Sequence, residues 1–232
     1  LEMLDLLSDA PVSREDKLEI VLTDAEQQAV DRLFEQLRIQ GSDELIAIAA
    51  AAGSAIKSDS VIKTAPAEKF IEVTKQLQQN NPRRKIFYIG APSERQYVEN
   101  MQICDGRLIF NLCGMLSLRE SAELLRRCRL LISNDSGATH LASALGIKHI
   151  VWFGATDDVE FGPYRNPNAV VYRVDLPCAP CRENECTVPE SHMTSHAKRP
   201  FCLTMIDARQ VTAIAEQMLQ NQKATPSLIW QQ

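Results

Sequence analysis

The chain reads as an α/β domain with a parallel, doubly wound sheet, and two observations carry that reading. Short apolar runs recur at Leu45–Ala49, Lys85–Ile89, Leu108–Phe110, Leu130–Ile132 and His149–Phe153, and the stretches between them keep helical periodicity. Each run also gives way to a loop of small, polar or charged residues. Strands that alternate with helices at this spacing run parallel and are joined by crossover helices. Such sheets bind ligands beyond the carboxyl ends of their strands, at the point where the strand order reverses. That rule singles out three loops, 50–65, 90–94 and 133–140.

Residues 1–22 predict a short amphipathic turn, a loop around Pro11 and an extended Leu18–Leu22. Thr23-Asp24-Ala25-Glu26 is a capping pattern. Ala29, Val30, Leu33 and Leu37 then keep one apolar face through a helix ending near Gly41. A loop with Gly53, Lys57, Asp59 and Lys63 runs to Pro66, which suits the first turn of a helix through Phe70, Val73 and Leu77. A further helix is expected from about Ser93 to Met101. Ser117-Leu118-Arg119-Glu120 caps one through Leu125, another covers 139–145, and the last covers Asp207 to Leu219. The tail beyond Lys223 is polar, and there is no internal repeat or low-complexity tract. The first residue, Leu1, lies inside the helical pattern Leu1–Met3–Leu4–Leu6–Leu7, so the chain is expected to be a fragment or to lack preceding residues.

With 232 residues, 45% hydrophobic and 24% charged, the chain has an ordinary globular composition and enough length to bury a core. A net charge of −5 gives no reason to expect nucleic acid as a partner. The runs Arg83–Lys85 and Arg126–Arg127 read as solvated faces. No apolar stretch approaches the ~20 residues of a membrane span, and no signal-peptide pattern opens the chain. Seven cysteines, an odd number without an export signal, predict reduced thiols and a cytoplasmic location. Cys104, Cys113 and Cys128 sit in apolar or helical surroundings, as small core residues do.

The most informative loop is Asn134-Asp-Ser-Gly-Ala-Thr-His140, where a strand gives way to a helix within a few residues. Gly137 lets a ligand approach the backbone without a Cβ in the way. The free N–H groups of the helix start suit a phosphate. Ser136 and Thr139 add hydroxyls, and His140 can donate from its ring. Asp135 cannot hold a phosphate, but it could orient a sugar hydroxyl, a metal or the loop amides. The competing reading is a plain helix cap with His140 packed beneath it. In loop 90–94, Glu94 could accept from ribose hydroxyls, or serve only as a first-turn acid favoured by the helix dipole. Lys57 and Lys63 could each reach a diphosphate.

The stretch Asn134-Asp-Ser-Gly-Ala-Thr-His140-Leu-Ala, with Ala144-Leu-Gly146, Phe153-Gly-Ala-Thr156 and Gly162-Pro163, resembles the bacterial ADP-heptose:lipopolysaccharide heptosyltransferases of glycosyltransferase family 9. The likeness runs from about residue 43 to 219. It includes Lys63-Thr-Ala-Pro66-Ala-Glu-Lys-Phe70, Gly90-Ala-Pro-Ser-Glu94, Ser117-Leu118, and a Cys178/Cys181/Cys186/Cys202 pattern like that of the heptosyltransferase II branch. The resemblance implies a GT-B enzyme of two Rossmann-like domains, with this chain holding mainly the donor-binding half. Residues 43–222 would form the Rossmann-like nucleotide-sugar domain, 1–42 an interdomain segment or remnant of the amino-terminal domain, and 223–232 a tail.

The activity implied is inverting transfer of heptose from ADP-heptose to the lipopolysaccharide inner core. Carried onto this sequence, Asp135, Ser136, Gly137 and His140, with Ala138 and Thr139 between them, would meet the diphosphate and sugar. Lys63 would neutralise phosphate, Glu94 would hold the ribose, and the backbone around Leu116 would border the adenine. The catalytic base would lie in the amino-terminal domain, as would any contact with the inner membrane. Ala65 stands where the family often has an aromatic residue, and Ala49–Ala52 where it has a proline-containing loop, so Lys57 stays an alternative to Lys63.

The spacing Cys178-x2-Cys181-x4-Cys186, with Cys202 farther on and His192 and His196 between, also fits a zinc site. The alternatives are a reduced, loop-stabilising cluster or a disulfide formed on oxidation. No cofactor is otherwise expected. A non-catalytic module binding a nucleotide or sugar phosphate is the competing function. A nicotinamide-dependent oxidoreductase is disfavoured because no G-x-G-x-x-G follows an early strand.

Overall fold

A computed structural model describes residues 18–52, 62–186, 188 and 200–220. The amino-terminal turn, the Pro11 loop, Gly53, Lys57, Asp59, His192, His196 and the tail lie outside the described residues. The strands are β1 (Glu44–Ala49), β2 (Arg84–Tyr88), β3 (Ile109–Asn111), β4 (Leu130–Asn134), β5 (His149–Phe153) and β6 (Ala169–Arg173). They form one sheet in the order β3-β2-β1-β4-β5-β6, and every pairing is parallel. The helices are α1 (Asp24–Gln36), α2 (Ala67–Asn80), α3 (Arg95–Glu99), α4 (Leu118–Arg127), α5 (Gly137–Ala144), α6 (Asp158–Phe161), α7 (Phe201–Thr204) and α8 (Ala208–Leu219).

Side chains alternate across a strand, so β1 serves two cores at once. Ile46 and Ile48 point to the face covered by α2 and α8, where they meet Phe70, Val73, Leu77, Val211 and Ala215. Leu45, Ala47 and Ala49 point to the other face, with Val30 and Leu33 of α1, Leu124 and Leu125 of α4, and Ala142 of α5. Burial on both faces explains why the central strands read as unbroken apolar runs.

At the amino-terminal end of the strands, Arg84 is 4% exposed yet charged. Its Nε donates to Glu44 at 2.6 Å, and its fork reaches Glu216 of α8 and the Leu77 carbonyl. Burial pulls the guanidinium pKa down, but the bonds to Glu216 and Glu44 outweigh it and raise the pKa. This knot joins β1, β2, α2 and α8.

Several elements differ from the sequence reading. α1 stops at Gln36, not near Gly41: Arg38 takes φ 56°, and the N–H groups of Arg38 and Ile39 donate to Glu35 and Phe34. This helix-ending bond pattern is usually built on glycine, which is why Gly41 misleads. The helix expected from about Ser93 to Met101 is a 3-10 turn, Pro92–Glu94, followed by the short α3. α5 begins at Gly137, directly after the extended Ser136. β6 is an edge strand, three of whose four apolar residues are only partly buried, and its sequence signal is correspondingly weak.

His149 opens β5 with no exposed surface, and burial pushes its pKa down to about 4. An unfolded histidine takes its proton near pH 6.5, well before the folded one does. The stability that depends on neutral His149 is therefore complete above pH 6.5 and lost as pH falls through about 4. Urea unfolding followed across that window should lose about 3 kcal/mol to this residue, and His149→Leu should remove that part of the slope.

Candidate functional site

After β1 and after β2 the chain returns over one face of the sheet, through α2 and α3. The helices preceding and following β4 lie on the other face. The reversal falls between β1 and β4, and there the strand-end loops part. A cleft of about 380 Å³ opens at that point. Its floor is Ala49 at the end of β1, Ala51 just beyond it, and Ile89 and Gly90 after β2; Ser136, Gly137 and Ala138 form the edge at α5. Leu116, Leu118, Leu141 and Pro92 give it an apolar wall, and Glu94 adds a carboxylate.

Asn134, the last residue of β4, organises the loop after β1. Fully buried, it donates from Nδ2 to the Ala50 carbonyl at 2.7 Å and accepts from the Ala65 N–H at 3.0 Å. Both ends of the 50–65 loop are thereby tied to β4, and Lys63 is brought back over the sheet. Lys63 Nζ then lies 3.0 Å from Asp135 Oδ2. The part of the loop that holds Lys57 is outside the described residues.

α5 presents its free amides at the cleft, and Ser136 is its extended first cap. The Ser136 hydroxyl oxygen is buried and has no hydrogen-bond partner among the described residues. A Cβ built on Gly137 meets no protein atom within 4 Å, so a side chain there would enter the cleft. The glycine is thus not required by packing. Thr139 is fully buried, with its hydroxyl 3.0 Å from Ser133 Oγ and bonded to the Asn134 carbonyl, so it holds the loop's shape and does not face the cleft. His140 is exposed on α5 and does not line the cleft.

Glu94 folds back so that Oε2 accepts from the Ala91 N–H at 2.7 Å. It is 6% exposed, and burial raises its pKa above the usual carboxylate value despite that bond. Its second oxygen makes no hydrogen bond among the described residues. Of the expected residues, the structure brings Glu94, Leu116, Ser136, Gly137 and Ala138 to one cleft and sets the Lys63–Asp135 pair beside it. Asn134, Leu118 and Leu141 join the site without having been singled out. For Asn134 the only signal was its place before Asp135, because its partners are dozens of residues away.

Cys178, Cys181, Cys186 and Cys202 line a separate cavity of about 20 Å³. All four are free thiols. Burial pushes Cys202 up to about 12, and the three neighbouring cysteines add to the effect. Among the described residues no three His, Cys, Asp or Glu side chains are grouped to hold a metal ion.

The sequence model of glycosyltransferase family 9 (heptosyltransferase) matches residues 11–192. Lipooligosaccharide heptosyltransferase 2 of Campylobacter jejuni subsp. jejuni serotype O:2 is 30% identical over 111 residues, which are 48% of this chain and 32% of that protein. The chain therefore spans about a third of that relative's length. Among solved structures, a glycosyltransferase of family 9 from Veillonella parvula superimposes with a TM-score of 0.71 at 23% identity, covering 94% of this chain and 58% of its own. Escherichia coli ADP-heptose lipopolysaccharide heptosyltransferase II gives 0.65 at 17% identity, covering 88% and 54%. At these identities both structures bear on the fold alone.

Asn134→Ala would leave the Ala50 carbonyl and the Ala65 N–H unpaired in a dry site. The expected loss is about 2–4 kcal/mol of folding free energy, read by chemical denaturation.

Proposed function

We propose, from the premise that this chain belongs to glycosyltransferase family 9, that its cleft holds the nucleotide-sugar donor of a heptosyltransferase. The donor is ADP-heptose, and the acceptor is the lipopolysaccharide inner core. The observation that carries this reading is the α5 edge of the cleft. There, free amides and a glycine that packing does not need border open space, and the buried Ser136 hydroxyl has no partner among the described residues. Amides and a hydroxyl at a helix start suit a diphosphate. The apolar wall of Leu116, Leu118 and Leu141 suits a flat base, and the open oxygen of Glu94 suits ribose hydroxyls. His140, exposed on the first turn of α5, would meet the sugar side.

In transfer, charge builds on the departing diphosphate. The positive end of α5 and the Lys63 ammonium are placed to stabilise it. Inversion at the sugar carbon requires a base that deprotonates the acceptor hydroxyl from the opposite side. We assign that base to the amino-terminal domain of the whole enzyme. No helix among the described residues is long and apolar enough to cross a membrane. We place the enzyme in the cytoplasm, with any contact at the inner membrane made by that other domain. A module that binds sugar phosphates without transferring them is the alternative.

Calorimetry with ADP, ADP-heptose and UDP-sugars tests the reading, with preference for the adenine nucleotides expected. Gly137→Leu separates site from scaffold: replacing a poor helix former should leave stability unchanged or raise it by about 0.5–1 kcal/mol. The same substitution should abolish nucleotide binding. Retained binding in that variant would remove the α5 edge from the site.

A further inference from the structure

Lys63 is the cation beside the site, a long side chain that is 36% exposed. A lysine gains phosphate affinity only to the extent that its ammonium is held in place, because ordering its stem costs conformational entropy. Two groups hold it. Asp135, 7% exposed, accepts from Nζ at 3.0 Å. On another side Nζ stands 5.6 Å from the centroid of the Phe161 ring, within cation–π range.

Phe161 lies at the end of α6, and that short helix is fastened at several points. Asp157 caps it by accepting from the Val159 N–H at 2.9 Å, Asp158 is ion-paired with Arg173 of β6, and Arg182 is ion-paired with Asp157. At Gly162 a Cβ would lie 2.1 Å from the Asp158 carbonyl oxygen, so only glycine permits the turn that follows Phe161. The exposed ring, 43% accessible, is thus held beside Lys63 by a fixed turn.

Neither Lys63 nor Asp135 lines the cleft that Ser136, Gly137 and Glu94 form. Their pair stands beyond the α5 edge, toward α6. With the base against the apolar wall and the phosphates at the α5 edge, as proposed above, the outer phosphate is the part of a nucleotide that this pair would meet.

We propose that Asp135 and Phe161 are positioning residues which together hold Lys63 at the open end of the cleft, where its ammonium meets the distal phosphate of a nucleoside diphosphate. This rests on the nucleotide reading given above and adds to it the part of the ligand that the pair discriminates. Lysine has three N–H donors, so the bond to Asp135 leaves two for phosphate oxygens. The carboxylate fixes direction, and the ring supports the charge without using a donor.

The experiment is calorimetry of this chain with ADP and with AMP. Lys63→Met should weaken ADP binding about tenfold, as loss of a charge-assisted hydrogen bond would. Phe161→Ala should weaken it about threefold, and Phe161→Trp, which keeps a π face, should restore it. Asp135→Asn should weaken it about fivefold. None of these variants should change AMP binding. Combined with Lys63→Met, neither Phe161→Ala nor Asp135→Asn should cost anything further. Phe161 is exposed, so its substitution reports even if Asp135→Asn fails to fold. An undiminished Phe161→Ala effect in the Lys63→Met background, no effect of Phe161→Ala on ADP, or equal losses for AMP would overturn the positioning role while leaving the nucleotide site standing. Failure of the unsubstituted chain to bind either nucleotide would overturn the nucleotide reading, and this inference with it.

Discussion

The carboxamide of Asn134 is the interaction on which the site depends. A doubly wound sheet opens a crevice where its crossovers part, but the crevice has a defined shape only if the loops on its rim are tied down. Here one buried amide binds both ends of the loop after β1, through the carbonyl of Ala50 and the N–H of Ala65. Thr139 and Ser133 then fix the turn from β4 into α5 from below. Buried polar groups in a dry interior are costly unless paired, so this arrangement is specified closely. The cleft, the free amides of α5 and the position of Lys63 all follow from it.

The two ends of the sheet are built on different principles. At the amino-terminal end of the strands, Arg84 is surrounded by Glu44, Glu216 and a carbonyl, so the charges of this knot are paired with one another. At the carboxyl end, hydrogen-bonding capacity is left over: an unpartnered Ser136 hydroxyl, a half-used Glu94 carboxylate and the first amides of a helix. Leaving such groups unpaired has a cost in the empty protein that a polar ligand can offset.

Much of the architecture is legible in the sequence, because strands buried on both faces must be continuous apolar runs. Leu45–Ala49, Leu130–Ile132 and His149–Phe153 announce themselves in this way. β6 does not, since an edge strand needs little apolar surface, and α1 ends on Arg38 where composition points to Gly41. The site divides similarly. Gly137 and Ser136 are visible because strand, glycine and helix follow one another within a few residues. Thr139 belongs to the same string, but its hydroxyl turns inward, a distinction that depends on Ser133 across the turn. Phe161 and the double role of Asn134 could not be read at all, because their partners are distant in the chain.

The Arg84–Glu216 bond spans 132 positions, and this has a consequence for how the protein is made. β1, α2 and β2 leave the ribosome more than a hundred residues before the helix that covers their shared apolar face. At about 5–20 residues per second, that face waits roughly 6–26 seconds for its cover. Until then Arg84 lacks its Glu216 partner and is left with Glu44, the α2 carbonyl and water. α8 therefore acts as a latch that closes this face of the sheet.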